Sequence, residues 1–329
     1  MQQDSRATET PGCVVGVDVG GTNLRVALAD TAGTILARWS TSTVGIRSPE
    51  KVIRLIHDGV RKVMRQVAAP PDTLKAIATG VPGITDIESG TVVATSYLMG
   101  WQNIPLRAQL EQELKLPAAV DNDVNLAAIG EKWAGAARGI EDFVFLAIGT
   151  GIGAGIVLNG RPYRGTCWAA GEIGYMLLPG TAEEPAQTDE PGALESLLGG
   201  EGIRAQWQNV WSPDRTSLPK ELTATEIFDN ARGDALAQAI LAKSATLLAH
   251  AIYNVSRVLN CPLFVLGGAV GLHPSLGHAT REILERWDLR GRPRVVSSAL
   301  GEDAQLLGAI RTALDAAAAH ARLPESVRF

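Results

Sequence analysis

Hydrophobic positions near the start of the chain run in short unbroken blocks, Val14–Val19 and Leu24–Ala29, with a third over Thr34–Thr43 after the Ala32-Gly33 turn. Such blocks bounded by glycine and polar residues predict strands, and connections this short predict antiparallel neighbours. From Pro49 the pattern changes. Val52, Ile56, Val60, Val63 and Val67 recur at spacings of three and four, which predicts an amphipathic helix opened by Pro49 and ended by Pro70-Pro71. Leu74–Thr79 predicts a strand leading into Gly80-Val81-Pro82-Gly83. Pro105 opens a helix to about Leu114, and Pro117–Val120 forms a short strand. Asp121 or Asn122 then caps a helix through Trp133, with Gly135 beyond its end.

The second half begins as the first did. Phe143–Ile148 predicts a strand, Gly149–Gly153 a turn, and Ala154–Leu158 a strand ending at Asn159-Gly160. A helix from about Leu194, a long helical stretch over Ala235–Leu259, a buried strand Leu263–Leu266 and a final helix from about Asp303 follow. Residues 1–11 read as a loose tail, and 180–192 and 212–220 as surface loops. Laid over each other without a gap, VVGVDVGGTNLRVALAD (14–30) and FVFLAIGTGIGAGIVLN (143–159) share strand, Gly/Thr turn, strand and polar turn. Self-similarity at so long an interval points to duplicated domains, although two unrelated glycine-rich hairpins would also look alike.

Composition narrows the class. The 329 residues suggest about two domains, and 46% hydrophobic residues supply a core for each. A formal charge of −5 is not the footprint of a protein that grips nucleic acid. Cys13, Cys167 and Cys261 are scattered and odd in number, as expected of reduced thiols, and no leader opens the chain, so a cytoplasmic protein is expected. The uncharged stretches Phe143–Leu158 and Val258–Leu272 fall short of the ~20 residues of a spanning helix and are broken by glycine. They read as buried strands with turns, and no membrane partner is expected.

Candidate chemistry sits at the glycine turns. In Asp18-Val19-Gly20-Gly21-Thr22-Asn23, glycine lets the backbone approach a ligand so that successive amides converge on an anion, and Thr22 adds a hydroxyl. Gly149-Thr150-Gly151-Ile152-Gly153 offers the same on the second domain, and two such hairpins facing across a cleft would hold a polyphosphate from both sides. Asp18, ending the first strand, is placed to hold Mg2+ through water. No P-loop or dinucleotide fingerprint occurs. Asp123, where a strand passes into a helix, could accept the proton of an alcohol attacking a phosphoryl group; a loose transition state makes a weak base sufficient. Its neighbour Asn122 suits a substrate hydroxyl, while Asp121 reads as a cap. Glu172 and Glu195, among small residues, suit a ligand rich in hydroxyl donors, a sugar, though each alone also reads as a solvated charge. Gly267-Gly268, after a buried strand, reads either as a flat seat for adenine or as a structural turn.

Together these segments resemble the ROK sugar kinases, of the superfamily shared by actin and the hexokinases, from Val14 to about Ala316. VVGVDVGGTNLRVALAD is similar to the first phosphate motif, ATGVPGITDIESG to the first connecting motif, and GWQNIPL with DNDVNLAAIGE to the sugar-binding and catalytic stretch. AIGTGIGAGIVLNGRPYRG is similar to the second phosphate motif, LFVLGGAV to the adenosine motif, and LLGAIRTAL to the second connecting helix. The resemblance implies an α/β fold of two actin-like (ribonuclease H-like) domains, each a mixed five-stranded sheet with flanking helices, around an interdomain cleft. The boundaries expected are 12–120 for a small domain, with a helix at about 309–329 packing back on it, and 121–308 for a large one. It implies an ATP-dependent hexokinase acting on the 6-hydroxyl of glucose, with Mg2+. Asp123 becomes the base, and Gly83 (through its backbone), Asn122, Glu172 and Glu195 the sugar contacts, with the contact of the family histidine either supplied by the Tyr175 hydroxyl or missing. Gly20, Gly21, Thr22, Asn23, Thr150, Gly151, Gly153, Gly267 and Gly268 become ATP contacts. A homodimer is the family's habit.

Two departures bear on the sugar. Many family members carry a histidine where this chain has Tyr175, followed by a cysteine cluster that holds zinc; between Met176 and Leu194 there is neither Cys nor His, so no zinc is expected. Tyr97 stands where the family often has asparagine. Kinases for fructose, allose, mannose or N-acetylmannosamine are the alternatives, with polyphosphate a second possible donor. A repressor of the same family would need a helix-turn-helix ahead of Val14, which only 13 residues precede. A chaperone-like or filament ATPase would have no use for the sugar-binding set.

Overall fold

A computed structural model describes residues 12–324 except Arg47, Ser96, Tyr97, Met99, Thr188, Asp189, Asp288 and Leu289. The expected tail, residues 1–11, and Tyr97 therefore lie outside the described residues. The chain divides into two compact units, one running to Asp123 and resuming at Leu306, the other comprising Val124–Gln305.

The first unit opens with the antiparallel meander the pattern predicts: β1 (Cys13–Val19), β2 (Asn23–Asp30) and β3 (Ile35–Ser42). Every residue of β1 is buried, which explains its unbroken hydrophobicity: a central strand has no solvent face. Helix α1 (Pro49–Gln66) starts at Ser48, whose Oγ accepts the Lys51 amide, and buries Val52, Ile56, Val60 and Val63. Its last two residues depart from expectation. Met64, not Val67, completes the buried face, and the helix ends at Gln66 with Ala68 left-handed at φ 52°, ahead of the prolines.

Strand β4 (Leu74–Val81) returns parallel to β1. A separate three-stranded sheet, β5 (Ile84–Asp86), β6 (Thr91–Ala94) and β7 (Gln102–Ile104), was not legible in the pattern. Then come α2 (Leu106–Leu114) and β8 (Ala118–Asn122), parallel to β4. The sheet order is β3-β2-β1-β4-β8.

Helix α3 (Asp123–Ala134), whose first residue belongs to the first unit, leads into the second, where β9 (Phe143–Ile148), β10 (Ile152–Leu158) and β11 (Arg161–Tyr163) again form an antiparallel meander. The second hairpin strand thus begins at Ile152, two residues before the expected Ala154. Helices α4 (Glu195–Leu198), α5 (Gly200–Val210), α6 (Ala224–Asp229) and α7 (Ala235–Leu259) precede β12 (Leu263–Gly267). Helices α8 (Gly268–Gly271) and α9 (Pro274–Arg286) and strand β13 (Arg294–Ser297) complete it. The order β11-β10-β9-β12-β13, with β12 parallel to β9 and β13, repeats the first sheet strand for strand. The internal echo is therefore a repeated topology, but it is not gapless. Ladder pairs Val19↔Leu24 and Ile148↔Ile152 leave residues 20–23 in one turn and 149–151 in the other, so the second is one residue shorter.

Helix α7 is long and apolar enough by composition to cross a membrane, yet 56% of its most apolar window is buried, and Leu247, Leu248 and Ile252 lie in the core of this unit. The Val258–Leu272 stretch, expected as strand and turn, opens instead on the last two residues of this helix, where Val258 is 82% exposed. The last element, α10 (Ala304–Ala321), begins in the second unit and returns to the first, where it crosses β1 so closely that a side chain at Gly16 would sit 2.9 Å from Ile310. Cys13 and Cys261 are buried, and desolvation pushes the Cys261 thiol up to about 11; Cys167 is exposed.

Candidate active site

Parallel strands place their carboxyl ends side by side, and this is where ligand sites collect in α/β sheets. In the first unit the register sets Asp18 beside Gly80 and Gly80 beside Asp121, so the ends of β1, β4 and β8 form one row. Gly83 and Asn122 lie just past that row and meet: Asn122 Nδ2 donates to the Gly83 carbonyl at 3.0 Å. Gly83 is at φ 100°, where an added Cβ would lie 2.3 Å from the Ala94 carbonyl oxygen, so only glycine fits. Asp121 is buried and its Oδ1 accepts the Asn122 amide at 2.8 Å. Asp123 opens α3 and is only partly buried, so its carboxylate is not sealed within the core.

Gly21, Thr22 and Asn23 in the β1–β2 turn are exposed. The turn is closed by the Gly20 amide donating to the Asn23 carbonyl at 2.8 Å. Asn23 Nδ2 donates to Thr22 Oγ1 at 3.3 Å, which leaves the threonine hydroxyl proton pointing elsewhere. Asp18 is not the lone carboxylate that its position in the sequence suggests. Arg25, its register partner on β2, donates to Asp18 Oδ2 from Nε at 2.9 Å and from Nη2 at 2.7 Å. Burial pushes the Asp18 carboxyl up, and Arg25 offsets part of that rise. The pairing was missed because it needs the strand register.

The second unit carries its own set. Glu195 Oε2 accepts the Ile152 amide at 2.9 Å, tying a predicted sugar residue to the predicted phosphate turn. Glu195 also stands close enough to Glu172 to act on its titration: desolvation, then repulsion from Glu195, raises the Glu172 pKa, a rise that solvent moderates because Glu172 is an exposed residue. Both glutamates hang on close-packed glycines. Gly171, at φ 101°, accepts the Ala154 amide at 2.8 Å, and Leu194 donates to the Gly174 carbonyl at 3.0 Å. Tyr175 is 39% exposed, and its amide donates to the Glu172 carbonyl at 3.2 Å.

Thr150 is exposed, with Gly151 and Gly153 partly so. The Gly149 carbonyl is taken by the Gly200 amide at 2.8 Å, in the first turn of α5, which satisfies a helix-end donor and fixes the turn. Gly267, paired with Ala147, lies at the same end of the sheet. A Cβ at Gly267 would strike the Phe145 ring at 2.2 Å, and one at Gly268, at φ 77°, the Ile148 carbonyl oxygen at 2.4 Å. Both glycines are thus required by packing alone. Their sequence leads into the short helix α8 rather than an open loop.

Sequence reasoning also missed Glu131. It is fully buried in α3, and its carboxylate accepts the Ala136 amide at 2.6 Å, the Leu300 amide at 3.2 Å and the Ser298 hydroxyl. In the pattern it reads only as one more helical glutamate.

Residues 14–316 match the model of the ROK family. The chain is 32% identical over 308 residues to a glucokinase of Halalkalibacterium halodurans, covering 89% of this chain and 92% of that one. It is 28% identical over 273 residues to a xylose repressor of Caldicellulosiruptor bescii, covering 78% of this chain and 65% of the repressor. Among solved structures, a ROK family glucokinase from Streptomyces griseus in complex with glucose and AMPPNP superposes with a TM-score of 0.79 at 25% identity, covering 92% of this chain and all of that one, 100%.

Proposed function

Since the chain belongs to the ROK family and is an ATP-dependent sugar kinase, we propose that it transfers the γ-phosphate of ATP to the 6-hydroxyl of glucose. The observation that carries this reading is the acceptor set on each unit: Asn122 and the Gly83 backbone beside Asp123 on the first, Glu172 and Glu195 on the second. Ionised carboxylates accept hydrogen bonds and cannot donate, so they match the donor-rich rim of a sugar. In this reading Asp123 aligns the attacking hydroxyl and takes its proton late, when the loose phosphoryl transition state has made that hydroxyl acidic. In the turns Gly20–Asn23 and Thr150–Gly153, the exposed Gly21, Thr22, Asn23 and Thr150 supply amide and hydroxyl donors to the phosphates, with Gly267 and Gly268 flanking adenine.

Among the described residues no cluster of three or more His, Cys, Asp or Glu could hold a metal ion directly. One buried carboxylate with an oxygen already committed to Arg25 fits Mg2+ that arrives with the nucleotide and keeps its waters, and Asp18 would hold such a water. The ion would supply charge neutralisation on the phosphates. The cytoplasm is the proposed location and a homodimer the proposed assembly, on the family's habit; the net charge of −5 supports a reading without nucleic acid.

A coupled ADP-release assay with ATP and magnesium over a panel of hexoses tests the proposal. Glucose should give the highest kcat/KM. Fructose, allose, mannose or N-acetylmannosamine turning over faster would reassign the sugar, and ADP release independent of every sugar would reject the kinase site.

A further inference from the structure

Thr43 follows the last residue of β3, is 1% exposed, and belongs to none of the motifs that point to nucleotide or sugar. It nevertheless touches the β1–β2 turn twice. Its amide donates to the Thr22 carbonyl at 2.9 Å, and its Oγ1 donates to the Gly20 carbonyl at 2.8 Å. Ser42 Oγ also reaches the Thr22 carbonyl, at 3.3 Å. These carbonyls are the negative ends of the peptide dipoles whose positive ends a phosphate needs. A turn that binds an anion has to turn its carbonyls away and keep them there, since each one left free to rotate would repel the ligand.

We propose that Thr43 is a positioning residue for nucleotide binding: from behind the turn it ties down the Gly20 and Thr22 carbonyls, so that the exposed Gly21–Thr22 face stays electropositive. The inference rests on reading residues 20–22 as a phosphate turn. The second turn is held in a related way, its Gly149 carbonyl taken by the Gly200 amide. Of the two Thr43 bonds, the hydroxyl bond is the one a substitution removes. Replacement by valine keeps shape and backbone bond but leaves the Gly20 carbonyl without this donor.

Steady-state kinetics of Thr43→Val and Thr43→Ser, with ATP and sugar varied separately, test the proposal. One hydrogen bond of ordinary strength is worth up to about tenfold in an equilibrium. Thr43→Val should therefore raise KM for ATP by about tenfold and leave KM for the sugar unchanged, while Thr43→Ser, which keeps the hydroxyl, should restore wild-type values to within about twofold. A residue that merely closes the end of β3 would lower Tm in Thr43→Val without separating the two KM values, and that result overturns the proposal. Should Thr43→Val not fold, Thr43→Cys carries the comparison with a weaker donor: a raised ATP KM supports the role and an unchanged one rejects it. Wild-type protein that transfers phosphate to no sugar rejects the phosphate-turn reading itself, a separate outcome from active wild type with an unaffected Thr43→Val.

Discussion

Asn122 Nδ2 and the Gly83 carbonyl, 3.0 Å apart, join the end of β8 to the turn after β4. The bond fixes the orientation of the Asn122 side-chain amide beside Asp123. It depends on Gly83 adopting φ 100°, a conformation strained for any residue with a side chain. Gly83→Ala also drives a Cβ against the Ala94 carbonyl, so it should cost at least about 2 kcal/mol in urea unfolding and raise KM for the sugar. Asn122→Ala, which leaves the backbone alone, should raise KM for the sugar with a smaller loss of stability.

Glu172 gives the protein a pH dependence of defined sign. Its carboxyl has a higher pKa in the folded chain than the ordinary 4.5, because burial and Glu195 disfavour the charge. Below that ordinary value both folded and unfolded chains hold the proton, and no penalty exists. As pH rises through the folded pKa the penalty develops in full. Glu172→Gln should therefore raise the unfolding midpoint at pH 7.5 and lose that advantage by about pH 4, while weakening sugar binding at neutral pH. In wild type, KM for the sugar should rise as pH falls through the Glu172 pKa, which thermal melts and kinetics over the same buffers would show together.

Glu131 ties the Ser298–Leu300 segment to α3 by accepting from the Ser298 hydroxyl and the Leu300 amide, and closes the end of α3 by accepting from the Ala136 amide. Truncating it leaves buried donors unpaired at about 1–3 kcal/mol each. Glu131→Ala should lose several kcal/mol in urea unfolding, on the order of those unpaired donors together. Glu131→Gln should lose less, since its carbonyl oxygen still accepts while its amide meets donors.

The family resemblance implies a zinc-ligating histidine at the position of Tyr175, but the residues from Met176 to Leu194 include neither Cys nor His. Metal analysis of the purified protein should find no stoichiometric zinc, and a chelator should leave Tm unchanged. One zinc per chain would require ligands from elsewhere and would contradict this reading of Tyr175.

Legibility followed element length and register. Helix α7 could be read to both ends because 25 residues carry the helical period, and Asp234 caps it through bonds to the Leu236 and Ala237 amides. Strands β5 and β7, of 3 residues each, are too short to show alternation, so a whole sheet went unread. Among site residues, Asp18 was visible as an acid ending a hydrophobic run, but its partner Arg25 appears only once β1 and β2 are aligned. Thr43 and Glu131 carry no local signal at all. A threonine after a strand and a glutamate in a helix are ordinary until the chain brings Gly20 to one and Ser298 to the other.

The central claim is that Asp123 is the base for a sugar hydroxyl, and the Asp123→Asn variant tests it most directly when turnover and sugar affinity are measured together. The amide keeps the size and hydrogen-bonding reach of the carboxylate and removes its basicity. Turnover should fall by about 10²–10⁴-fold, the usual worth of a positioned base, while calorimetry gives a glucose Kd within about threefold of wild type. Wild-type turnover in Asp123→Asn would contradict the account.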